Sequence, residues 1–236
     1  MTAEAHTYHL DQLAAGGTDV TARVIDWLDR WLRDVPAPPT PLVLYRPDGA
    51  EAFRGAEDWP VRGTEMSWYL GQRFSMVGNA HLLSAPASGL RRHVLDVDPA
   101  TMSPCADYPR RTYLSQPLAE DIVLAGPMRL ELFLRATTGQ AGLSVQVYDY
   151  DAGRDAPLSF VTFAVARADG LSADTATQLT LETHSVSHRF RAGTRVALSL
   201  GGSACGYAEV GHPAGTYEVL HGTDAPSRLV FEAVAE

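Results

Sequence analysis

The chain has 236 residues, 45% of them hydrophobic, and a formal net charge of −9 with a pI near 5.3, so it can bury the core of one large β domain, or of one domain with an appendage, and is not of the disordered class. The acidic balance argues against a nucleic-acid partner, because the Arg-Arg pairs at 91–92 and 110–111 are too short to build a phosphate-neutralising surface. No basic region followed by an apolar run opens the chain and no stretch approaches about 18 uninterrupted apolar residues, so no membrane span or export is signalled and the cytoplasm is the expected compartment.

The first predicted element is a helix from Asp19 to Arg33. Val20, Val24, Trp27, Leu28 and Trp31 recur at the spacing of one buried stripe, Thr18 or Asp19 can cap the start, and the VPAPPTP run from Val35 to Pro41 ends it. Between Leu42 and Ser84 the periodicity weakens. LVLYR and MSWYL read there as short strands, GAEDWP and GQRF as turns, and DVDPATMSPCADY further on as a loop. From Arg111 onward the period becomes two. MRLELFL sets Met128, Leu130, Leu132 and Leu134 on one face, and LSVQVYD does the same with Leu143, Val145 and Val147. LSFVTFAVA, TQLTLET, TRVALSL, TYEVL and RLVFEAV repeat the pattern between turn-rich phrases. Short strands without intervening helices predict a mainly β fold, a jelly-roll-like β-sandwich, with the one amphipathic helix ahead of it.

Several phrases together carry a family resemblance. IDWLDRWLRD followed by PLVLYRPDG and EDWP resembles the junction, in the cocaine esterase and X-Pro dipeptidyl-peptidase group, where the last helix of an α/β-hydrolase domain runs into a C-terminal β-sandwich. LDVDPATMSP, YLSQPLAEDIVLAGPMRLELFL and HRFRAGTRVALSL resemble that group's aspartate-proline loop and two of its strand pairs, in matching order from about residue 24 to 236. The resemblance implies a galactose-binding-like sandwich over 42–236. Residues 1–41, the helix and its Pro-rich linker, are then the remnant of a hydrolase domain's end. It also places the family's nucleophilic Ser and its Asp partner upstream of the helix, so the Ser-His-Asp machinery is expected to be missing. The nearest string to a nucleophile elbow, GGSACG at Gly201 to Gly206, has an extra residue and sits in a loop; His6 or His9 would at most be a relic of the catalytic His.

Other constellations have plainer readings beside the functional ones. HSVSH puts His184 and His188 on one face of a strand, roughly 13 Å apart, too far for one metal ion, so they read as surface or pocket residues. DYDAGRD, with Asp149, Asp151 and Asp155, echoes a calcium loop but lacks its closing Glu; an Asp-capped turn explains the same letters. Cys105 and Cys205 lack metal spacing and read as free thiols. No metal and no cofactor is expected. Trp68, Tyr69, Tyr148 and Tyr150 are the candidate binding residues, the two last on the strand face opposite Val145 and Val147. The loop from Gly201 to Gly215 is long, and its Tyr207, Glu209 and His212 are candidate catalytic groups.

A sandwich parted from its hydrolase domain leaves an apolar face for something to cover. The favoured reading is a stand-alone, non-hydrolytic module that binds an apolar small molecule and templates a cyclisation or isomerisation in a biosynthetic pathway. The alternatives are an accessory subunit of a split α/β-hydrolase and a glycan- or protein-binding module. The expected partners follow: the apolar ligand, a separate α/β-hydrolase chain, or a second copy in a homodimer.

Overall fold

The computed structural model describes residues 20–33, 43–71, 80–98, 110–154, 156–202 and 214–235. The predicted helix is α1 (Val20–Arg33), with Asp29 and Arg33 paired one turn apart at 2.9 Å. One expectation about it fails. The stripe is not buried: Trp27 is 60% exposed and Trp31 64%, and Val24 and Leu28 are exposed with them. A helical spacing creates an apolar face but does not supply the surface that covers it, and among the described residues no strand packs closely along this one. No described helix is long and apolar enough to cross a membrane.

β1 (Val43–Tyr45) and β2 (Arg54–Ala56) form a small antiparallel hairpin of their own. The remaining strands are β3 (Thr64–Gly71), β4 (Ala80–Leu83), β5 (Leu90–Val97), β6 (Arg110–Leu114), β7 (Ile122–Gly126), β8 (Arg129–Ala136), β9 (Gln140–Asp151) and β10 (Ala156–Asp169). After them come β11 (Thr177–Glu182), β12 (Val186–Phe190), β13 (Arg195–Gly201), β14 (Gly215–Gly222) and β15 (Arg228–Val234).

These thirteen strands join in one path, β10-β9-β13-β6-β4-β3-β15-β8-β14-β5, with β11 beside β8 and β7 linking β12 to β15. All pairings are antiparallel except β4 with β6, where Ala80 lies opposite Tyr113. The path is rolled so that its two halves face each other across one core. Leu143, Val145 and Val147 of β9 and Val196, Leu198 and Leu200 of β13 meet Leu130, Leu132 and Leu134 of β8 and Tyr217 and Val219 of β14. Every one of these is essentially sealed from water, because a period of two in each strand delivers its apolar residues to the same side. The result is the mainly β sandwich that the alternation predicts.

Candidate functional site

A cleft of about 840 Å³ opens where β3, β4, the 115–121 segment, β7 and the end of β15 come together. Met66, Trp68, Leu83, Leu118, Ile122 and Ala233 line it. Trp68 sits there because the even positions of β3 face inward: its ring meets Phe231 edge-on at 5.0 Å, and Leu70 beyond it is wholly buried. Glu120 and Asp121 add carboxylates, but Asp121 is committed, accepting from the Ala192 amide at 2.8 Å and lying 3.5 Å from Arg189.

The structure does not bring the four candidate binding residues together. Tyr69 follows Trp68 and so takes the opposite side of β3, where it hydrogen-bonds Arg228. Arg228 in turn holds Glu131 at 2.8 Å and Glu131 accepts from Arg129 at 3.1 Å, an ion-pair ladder on the outward side of β15 and β8 that keeps the Glu131 carboxyl below its ordinary range. Tyr148 and Tyr150 lie on the outward side of β9, as the alternation predicts, in a second apolar cluster with Leu114 and Ala197. That side is not open surface: Tyr150 is buried, and the Tyr148 ring packs edge-on to Phe160 at 5.6 Å. Tyr207, Glu209 and His212, together with Cys105, Cys205, His6, His9 and Asp155, lie outside the described residues.

Two buried polar clusters complete the inventory. His188 on β12 is no surface residue: it points inward, its Nδ1 2.6 Å from Asp48 on the β1–β2 turn and its Nε2 3.8 Å from the buried Asp149 of β9. The hydrogen bond to His188 is the main cause that lowers the Asp48 carboxyl, with the charges of His188 and Arg46 adding to it. The other His of the pair, His184, does not share the strand face as expected: it precedes β12, is exposed, and its ring lies tilted against Phe163 at 4.5 Å. In DYDAGRD it is Asp151 that caps the turn, accepting from the Gly153 and Arg154 amides at 2.8 and 3.1 Å, while Asp149 turns inward.

The second cluster gave no signal as a motif. His93 of β5, Tyr113 of β6 and His221 of β14 meet inside the sandwich, with His93 Nδ1 2.5 Å from the Tyr113 hydroxyl and the two imidazole centroids 4.8 Å apart. Burial pushes His93 down to about 3, with the charges of His221 and Arg111 adding to it, and His221 down to about 4, with Arg91 adding to it. Burial likewise raises the Tyr113 phenol. All three are therefore neutral near pH 7.

Known proteins share this fold. Residues 36–233 match the family model of the X-Pro dipeptidyl-peptidase C-terminal non-catalytic domain. Against the curated proteins the sequence finds no match. Among solved structures the chain superposes on a CocE/NonD family hydrolase from Staphylococcus aureus with a TM-score of 0.73 at 16% identity, covering 91% of this chain and 46% of that one. An aminopeptidase from the marine sediment archaeon Thaumarchaeota archaeon gives 0.68 at 17%, covering 90% and 43%, and an α-amino acid ester hydrolase 0.66 at 17%, covering 90% and 45%. The chain thus spans less than half the length of these enzymes, and at such identities the likeness is one of fold. With the family model covering nearly all of its sandwich, the chain belongs to the X-Pro dipeptidyl-peptidase C-terminal non-catalytic domain family.

Proposed function

We propose that the chain is a non-catalytic module that docks on an α/β-hydrolase domain, in the same polypeptide or in another, through the apolar face of α1. One observation carries this reading: Val24, Trp27, Leu28 and Trp31 share a helix face and are all exposed. A 14-residue helix is marginal in water by itself, and most of its stability comes from packing that face against something. Two exposed tryptophans one turn apart are also the residue type that anchors interfaces. Membership of a non-catalytic family whose fold is shared with parts of hydrolases and an aminopeptidase supports an α/β-hydrolase domain as the partner. The test is the double variant Trp27→Asp and Trp31→Asp, with association to the host's α/β-hydrolase domain followed by sedimentation velocity or, within one polypeptide, by limited proteolysis. Association should be lost while the melting temperature of the sandwich stays unchanged. A fall in that temperature with no partner present would mean that the helix packs on its own sandwich.

A second reading rests on the cleft beside Trp68, whose mostly apolar wall and size suit a small hydrophobic ligand. In that reading a bound apolar molecule is held for a cyclisation or isomerisation, with Glu120 as the polar group at hand. A long-chain acyl probe should raise the melting temperature of the wild type and not of Trp68→Ala; equal responses would remove this reading.

A further inference from the structure

The sheet path ends in β10 on one side and β5 on the other, and the chain treats the two ends differently. An edge strand offers a row of unpaired amides and carbonyls to any other strand, so natural sheets blunt it. β10 is blunted: its register against β9 slips between Pro157 and Ser159 and again between Phe160 and Thr162, and Pro157 has no amide proton to offer. β5 carries neither device. Its eight residues, Leu90 to Val97, pair with β14 without a slip and include no proline. Val94 and Leu90, at 41% and 45% exposed, add apolar surface along it.

Which backbone groups β5 leaves open follows from β14. The Thr216 carbonyl accepts from the Thr137 amide, and the Ser227 hydroxyl bridges the Leu220 carbonyl to the Phe133 amide, so the even positions of β14 turn toward β8. Its odd positions, Tyr217, Val219 and His221, therefore face β5 and bond their register partners Leu95, His93 and Arg91. The amides and carbonyls of Arg92, Val94 and Asp96 then point off the sheet, and no strand among the described residues takes them. Their side chains share the outward face, where Arg92 lies 3.0 Å from Glu218 and Asp96 accepts from the Thr216 hydroxyl at 2.8 Å. Arg92 is thus offset within its own chain rather than left as a repelling charge on the edge. Arg92 and Asp96 also flank Val94 symmetrically. When a second β5 lies antiparallel about Val94, each Arg92 falls opposite the other copy's Asp96 and Val94 opposite Val94, at the positions whose backbone groups are open. Centring the pair on Arg92 would instead set two guanidiniums face to face. The strand is complementary to itself in charge, in apolar contact and in hydrogen bonding, and a two-fold axis through Val94 closes the contact as a dimer.

We infer that β5 is a dimer edge: two copies of this chain pair β5 with β5 antiparallel about Val94, Arg92 of each against Asp96 of the other, and join their sandwiches through one continuous sheet. The experiment is sedimentation velocity of the full chain from dilute to concentrated solution, in which the mass should double. Val94→Pro removes an amide that β14 does not use and should leave a monomer. Arg92→Glu and Asp96→Lys change exposed side chains only. Each variant alone sets like charges opposite each other and should stay monomeric, whereas an equimolar mixture of the two restores opposite charges at both ends and should pair. Hydrogen exchange supplies the direct readout: the wild-type amides of Arg92, Val94 and Asp96 should slow as concentration rises, and those of Arg91, His93 and Leu95, already bonded to β14, should not change. The dimer should also survive the double variant Trp27→Asp and Trp31→Asp, which separates this edge from α1. A wild type that stays monomeric at every concentration, a dimer that persists in Asp96→Lys or is lost with the α1 tryptophans, or a mixture that fails to pair would overturn the proposal.

Discussion

At the scale of single residues, the buried imidazoles dominate. His93 and His221 are neutral when folded, at about 3 and about 4, whereas an unfolded chain takes up protons at the ordinary imidazole value of 6.5. Their depressed values mean that the folded state is fully favoured above that ordinary value and loses ground steadily as the pH falls below it. Tyr113, which faces them, stays a phenol throughout this window because burial raises it. Urea denaturation should therefore show about 2 to 4 kcal/mol less stability at pH 5 than at pH 7. His221→Leu removes two unpartnered nitrogens, so stability at pH 7 should hold or rise, and about half of the acid loss should disappear. Asp48 acts lower, since its carboxyl is depressed: its contribution stands above the ordinary carboxylate range and fades only as the pH falls through the lowered value. His188→Leu removes the 2.6 Å hydrogen bond to Asp48 and should cost about 0.5 to 1.5 kcal/mol, and Asp48→Asn, which keeps a hydrogen-bonding group at the exposed end, should cost less. None of this was legible in HSVSH. The spacing predicts both histidines in one strand, but β12 begins at Val186 and leaves His184 outside it, and the fate of His188 depends on Asp48, 140 residues away.

At the scale of elements, period-two alternation is what the chain writes most plainly. The interior positions of MRLELFL and LSVQVYD became wholly buried ones in β8 and β9, because a residue's side of a strand is set by parity alone. Leu132→Ala, in the middle of the core, should cost about 2 to 5 kcal/mol in a urea titration. Gly222 illustrates a constraint that parity does not carry. Its φ is +109° and an added Cβ would lie 1.9 Å from the Gly89 carbonyl oxygen, so Gly222→Ala should force β14 and the 84–90 turn apart and lower the melting temperature. The helix was legible from its spacing and its proline stop, whereas the exposure of its stripe was not, since burial belongs to the partner as much as to the helix.

At the scale of the whole molecule, many short alternating strands and turn-rich connections predict a sandwich, and the family phrases predict which one. Strand order was not readable: β15 pairs with β3, and β14 with β5, across half of the chain's length or more, and such pairings are chosen by core shape rather than by any local signal. The cleft was half legible. Trp68 announces itself as an aromatic, but its separation from Tyr148 and Tyr150 follows from the roll of the sheet, which puts them on opposite sides of the structure's layers. Among the described residues the α1 face is left exposed at this scale, and the proposed docking depends on what covers it. The most direct measurement replaces Trp31 with a photo-crosslinking phenylalanine derivative, in the protein as its host makes it, and maps the adduct by mass spectrometry. The account predicts a crosslink to an α/β-hydrolase domain. A crosslink to the chain's own β-sandwich, or a side chain that captures only solvent, would contradict it.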